Sequence, residues 1–239
     1  ETYTGYRVGT DAIELRLHNA RATLDVDLCF RGKPEPGKEP QADHLQRLLA
    51  RATQADLGDF FEFGIGGMQM ELEGPLYGGA RYPVRSMIDG RLFVSFHVDV
   101  AVGDFIPGTL ETAKEHNLMS FAGIKPSIFP IIPKEVQFAE KLHSYTMPRP
   151  VPNSRVRDLV DMVLLIQESK LSPGKAKKAM QAVFDRRKSH PIPVTLVPPP
   201  AGWEKRFAEM AAECALKLDL KAGFEILNQF YSKVLRLVE

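Results

Sequence analysis

Ala22-Thr23-Leu24-Asp25-Val26-Asp27-Leu28-Cys29-Phe30 decides how this chain is read. Alternation along an extended strand sends Thr23, Asp25 and Asp27 to one face and Leu24, Val26 and Leu28 to the other. One face belongs in a core. The other presents two carboxylates that repel each other, which neither a core nor a bare surface rewards but a hard divalent cation does.

Upstream, Gly9-Thr10 precedes a helix expected from about Asp11 to Asn19. Backbone N–H groups at such a helix start, with the Thr10 hydroxyl, suit a phosphate. Downstream, Lys33-Pro-Glu-Pro-Gly-Lys-Glu-Pro40 reads as an exposed loop. A helix from Ala42 to Ala55 follows, with Leu45, Leu48, Leu49 and Ala52 on one stripe. Between Phe60 and Val102 the pattern turns to glycine-broken strands: Phe61–Phe63, Met68–Leu72, Tyr82–Ile88 and Arg91–Val100, with a hairpin turn at Asp89-Gly90. In the last of these, Leu92, Val94, Phe96, Val98 and Val100 share one face, and Phe93, Ser95, His97 and Asp99 the other. Asp99 is therefore the candidate third carboxylate, with Asp104 of Gly103-Asp104 as its alternative. Phe63-Gly-Ile-Gly-Gly-Met68 has no helix after it and reads as a bend rather than a phosphate loop.

From about Pro133 the chain turns helical. Helices are expected over Lys134–Tyr145, from a cap at Asn153 or Ser154 to about Ser169, from Ser172-Pro173 to about Lys188, and over Gly202–Leu218 and Gly223–Leu237. His190 to Ala201 is proline-rich and reads as a linker or strap. The organisation is α+β: a mixed-sheet catalytic domain over residues 1–130, then a helical bundle over 131–239.

Composition sets the outer limits. A chain of 239 residues, 44% hydrophobic, can bury a substantial core. Its net charge of +1 gives no global field for nucleic acid, so any basic surface is local. No apolar run approaches the roughly 20 residues of a membrane span, and no signal peptide opens the chain, so a cytoplasmic setting is expected. Cys29 and Cys214 read as reduced core thiols.

Gly-Thr, then Asp25-x-Asp27, then a third acid on a later strand is the pattern of nucleotidyl transfer. Two metal ions, or one and a base, serve the attacking and leaving oxygens there. Val8-Gly-Thr-Asp-Ala-Ile-Glu-Leu-Arg-Leu-His-Asn-Ala-Arg-Ala-Thr-Leu-Asp-Val-Asp-Leu28 resembles the opening motif of the AbiEii/AbiGii nucleotidyltransferase-like toxins, which include the MenT group. Ala139-Glu-Lys-Leu142 resembles the family's Ala-Glu-Lys-Leu helix motif, and Arg155-Val-Arg-Asp-Leu-Val-Asp161 its Arg-x-Lys-Asp-Leu-x-Asp motif. The matches fall in the family's order over residues 8 to 161.

The resemblance implies a minimal, polymerase-β-like nucleotidyltransferase fold with a C-terminal helical bundle, NTP and Mg²⁺ as ligands, and a cognate antitoxin as partner. Relatives add nucleotides to tRNA acceptor ends. By position, Asp25, Asp27 and Asp99 take the metal role and Gly9 and Thr10 the phosphate contact. Lys141 takes the triphosphate role, and Asp158 and Asp161 that of the late acids facing the same cleft. Thr10 stands where glycine or serine is usual, and Arg157 replaces the motif's lysine, keeping the charge but not the donor geometry. Relatives carry a longer helical segment ahead of the glycine.

Other readings stand beside these. Asp158 and Asp161 are neighbours on one helix face and need cations nearby, for which Arg155 and Arg157 are candidates. Glu140 reads as a salt-bridge residue, and His97 and His143 as packing residues. Lys175, Lys177, Lys178, Arg186 and Arg187 lie in a basic run opposed only by Glu168 and Asp185, a candidate phosphate-tracking surface for tRNA. An acceptor hydroxyl on a protein or small molecule, and a module that only binds nucleotide or a partner, are the alternative functions.

Overall fold

The computed structural model describes residues 5–21, 23–30, 41–55, 58–72, 77–103, 108–114, 116, 123 and 125–237. The proline-rich loop at 33–40 and Asp104 lie outside these. The described chain forms two compact units.

The first unit is a mixed sheet with two helices. Its strands are β1 (Gly5–Arg7), β2 (Asp25–Phe30), β3 (Phe61–Ile65), β4 (Met70–Glu71), β5 (Gly79–Ile88), β6 (Arg91–Val102), β7 (Glu111–Lys114) and β8 (Ile128–Ile131); its helices are α1 (Gly9–Arg16) and α2 (Gln41–Ala52). The strand order is β3-β5-β6-β2-β1-β8-β7, with β4 beside β5. β2 runs parallel to β6 and β1 parallel to β8; the other pairs are antiparallel.

One face of this sheet is core. Ala80, Tyr82 and Val84 of β5 and Val98, Val100 and Val102 of β6 pack with Leu45 and Leu49 of α2, and Val26 and Leu28 of β2 join them. Each large aliphatic chain buried this way contributes about 1.5–3 kcal/mol. The Tyr82 hydroxyl donates to the Ala42 carbonyl at 2.6 Å, which fixes α2 on the sheet. The β5–β6 hairpin turns at Asp89 and Gly90, whose φ values of 49° and 69° match a two-residue turn with both central residues left-handed. The alternation expected from Leu92 onward holds only from Val94. Ser86 pairs with Val94 but Met87 with Leu92, so Phe93 is an extra residue in a bulge, and Leu92 and Phe93 are exposed.

The second unit holds α3 (Lys134–Thr146), α4 (Val156–Glu168), α5 (Pro173–Arg187), α6 (Glu204–Glu213) and α7 (Leu220–Leu235), together with Leu17–Arg21. Residues 158–165 of α4 are all buried, as expected of a helix that is apolar nearly all round. Its cap differs from the expected one: Arg155 is the N-cap, while Asn153 accepts the Arg155 N–H at 2.9 Å from two residues upstream. Ser172 caps α5 as expected. α6 stops at Glu213, short of Leu218, because Ala215 turns left-handed at φ 55°. α7 starts at Leu220, capped by Asp219, which leaves Gly223 inside the helix. A Cβ at Gly223 would lie 2.4 Å from the Phe207 ring, so glycine permits that close packing. The proline-rich segment is a strap, held where the Tyr145 hydroxyl donates to the Val197 carbonyl and Tyr231 to that of Pro193.

Candidate active site

The polar face of the sheet gathers the opening motif. β2 and β6 are in register, with Asp25 beside His97 and Asp27 beside Asp99; on the next strand Arg81 is the register partner of Asp99. Neighbours across a sheet share a face, so Arg81, Asp99 and Asp27 form one row. Arg81 grips Asp99 with two parallel hydrogen bonds, both 2.7 Å. Its hydrogen bond to Asp99, opposed by burial and reinforced by the charges of Asp99, Asp25 and Asp27, holds the guanidinium above its ordinary range. His97 Nδ1 lies 3.5 Å from Asp25.

α1 closes onto the same row. Val8 N–H donates to the Asp27 carbonyl at 3.0 Å, and Gly9 begins the helix directly against the Asp27 side chain. A Cβ at Gly9 would lie 1.6 Å from Asp27 Oδ2. The glycine is thus demanded by the carboxylate. Thr10 is buried, and so is Asp11, paired to Arg7 at 2.9 Å. Burial, countered by Arg7 and aided by the charge of Asp27, raises the Asp11 carboxyl to about 6.

Within the helical unit the later motifs make a second cluster. Lys141 Nζ lies 2.8 Å from Asp161 and 3.4 Å from Asp158. Arg21 approaches Asp161 at 3.3 Å through two nitrogens. Burial lowers the Lys141 ammonium, but Asp161 and Asp158 outweigh it and raise the group above its usual range. Burial raises Asp161, yet Lys141 and Arg21 prevail and hold it low, whereas burial dominates at Asp158 and holds it high. Of the expected cations, Arg155 pairs with Asp158 at 3.9 Å, while Arg157 is exposed; the charge is balanced chiefly by Lys141 and Arg21, which lie far from these acids in sequence.

The sequence profile of the nucleotidyl transferase AbiEii toxins of type IV toxin–antitoxin systems matches residues 9–228. The chain belongs to this AbiEii family. It is a toxin nucleotidyltransferase, for which the family implies an NTP substrate and an antitoxin partner. In fold it is similar to the nucleotidyltransferase toxin MenT4 from Mycobacterium tuberculosis H37Rv. That match has a TM-score of 0.51 and 19% identity, and covers 96% of this chain and 84% of that one. No curated protein sequence matches.

AbiEii enzymes, as nucleotidyltransferases, call for divalent metal. The donor set fits a hard cation: Asp25 and Asp27 are carboxylates on one strand face, and the space a Gly9 side chain would fill holds Asp27 Oδ2. The expected trio is not assembled, however. Among the described residues no three His, Cys, Asp or Glu side chains group closely enough for a metal, and both Asp99 oxygens are bonded to Arg81. Arg81 is the residue the sequence pattern misses, because that pattern begins the strand at Tyr82 whereas β5 begins at Gly79.

Lys175 and Lys178 are exposed on α5. Lys177 donates to the Leu237 carbonyl, and Arg186 and Arg187 both bind Glu140, the salt-bridge residue expected. Both cysteines are buried thiols, as expected. No helix among the described residues is long and apolar enough to cross a membrane.

Proposed function

We propose that this AbiEii enzyme acts in the cytoplasm and transfers a nucleoside monophosphate from an NTP to an RNA acceptor, a tRNA 3′ end, with Mg²⁺ as the metal. The observation that carries the reading is the register that sets Asp27 beside Asp99, with Asp25 on the same face and Gly9 pressed against Asp27. The acceptor 3′-oxygen bonds to the α-phosphorus, the α–β phosphoanhydride bond breaks, pyrophosphate leaves and the hydroxyl proton passes to solvent. Asp25, Asp27 and, once released from Arg81, Asp99 would hold Mg²⁺, which when bound neutralises the triphosphate and favours the attacking oxygen. Gly9 and Thr10 orient phosphate at the start of α1.

From the family motifs, Lys141 is assigned to the triphosphate and Asp158 and Asp161 to the late acids. Any phosphate must then compete with Asp161 for the Lys141 ammonium. Lys175, Lys177, Lys178, Arg186 and Arg187 are assigned to the RNA backbone; the exposed Lys175 and Lys178 lead, since Glu140 neutralises part of the charge of Arg186 and Arg187. The test is incubation with each labelled NTP and Mg²⁺, alongside total tRNA or lysate protein. Label in tRNA, lost with Asp25→Ala or Asp27→Ala, is expected. Label in protein would move the acceptor, and transfer surviving both substitutions would overturn the site.

A further inference from the structure

The sheet face carries a cation of its own. Arg81 is placed by β5, where its neighbours Ala80 and Tyr82 are fully buried, so its backbone is fixed by the core on the other face. Its guanidinium satisfies both oxygens of Asp99 in a fork-to-fork pair, among the strongest side-chain arrangements. The pair is not sealed away: side-chain exposure is 29% for Arg81 and 14% for Asp99. The pair therefore remains within reach of a ligand arriving from solvent. Its position in a row with Asp27, next to Asp25, gives it a further consequence.

We propose that Arg81 is a positioning residue that competes with divalent cation for Asp99, setting how tightly the carboxylate face holds metal. This rests on the reading that the face takes metal. With Arg81 in place, the three aspartates present a reduced negative charge, and Asp99 has no oxygen clear of a hydrogen bond. A cation ligated by Asp99 therefore draws on the same electron pairs and charge that hold the Arg81 fork, and loosens it. The freed guanidinium remains on the same face as a planar, permanently charged donor suited to phosphate oxygens.

The experiment is calorimetric titration of the nucleotide-free protein with Mn²⁺, comparing wild type, Arg81→Gln, Arg81→Lys and Asp27→Asn. Loss of a unit positive charge beside the site should tighten Mn²⁺ binding by roughly tenfold or more in Arg81→Gln. Arg81→Lys, which keeps the charge but not the fork, should tighten it by less. Asp27→Asn should weaken binding in either background. Unchanged or weaker Mn²⁺ affinity in Arg81→Gln, with Asp27→Asn still impaired, overturns the role of Arg81 and leaves the metal reading standing. Equal binding by wild type and Asp27→Asn overturns the metal reading itself. If Arg81→Gln does not fold, Arg81→Lys decides: affinity equal to wild type refutes the competition.

Discussion

The two acidic clusters of this chain treat the same chemical problem oppositely. In the helical unit, Asp158 and Asp161 sit in the most buried helix and are answered by Lys141 and Arg21. On the sheet, Asp25, Asp27 and Asp99 line a half-open face where Arg81 binds only Asp99 in a fork. Buried carboxylates must be neutralised by the fold itself, because an unpaired charge in the interior costs several kcal/mol. Carboxylates on an open face can remain under-neutralised until a ligand comes. Position in the core therefore separates charge that the fold has already balanced from charge it leaves partly open.

The widest break in that contrast is expected at Asp161. Asp161→Ala would leave Lys141 and Arg21 facing a buried gap and should cost about 3–5 kcal/mol, read from denaturant unfolding. For Asp27→Ala the effects should be reversed: transfer activity falling about a thousandfold, equivalent to about 4 kcal/mol, with unfolding moved by only about 0.5 kcal/mol. A stability loss as large as that of Asp161→Ala would erase the distinction.

A third test uses pH within the helical unit alone. Burial, then His190, Arg187 and Arg186, push His143 down to about 4, and its Nε2 lies 2.7 Å from Ser189 Oγ. The unfolded chain binds a proton near the ordinary value of 6.5 while the folded chain refuses it. Stability is therefore complete above about 6.5 and declines as pH falls toward 4, by about 3 kcal/mol in total. His143→Gln should flatten that window in thermal unfolding followed across pH. The smallest effect sharpens the sheet side: Gly9→Ala forces a methyl group into Asp27 and should cost about 1–3 kcal/mol. Its transfer activity should drop more than that stability loss accounts for.

Legibility in the sequence followed the length of the repeating pattern. The strand of the opening motif and that of Asp99 each carry enough alternation to assign faces, so their shared side was readable. Their direct pairing was not, because β2 and β6 are joined in parallel through a long stretch of chain. β1, β7 and β8 span only three or four residues, too few for a period to emerge. Arg81 was hidden by one residue: extending its strand back over Ala80 would have set Ala80, Tyr82 and Val84 on the core side and Arg81 on the carboxylate side. Arg21 lies within the opening motif, but nothing local names its partner, since Asp161 lies far along the chain and only the packed bundle brings them together.

The parallel pairing of β2 with β6 also sets an order in time. Asp27 is synthesised before its register partner Asp99, which sits on a strand that must first emerge and fold back as a hairpin with β5. A nascent chain that has exposed only β2 carries the opening aspartates without a surface to hold them. Assembly of the carboxylate row therefore waits until β5 and β6 have been translated, a delay written into the strand order.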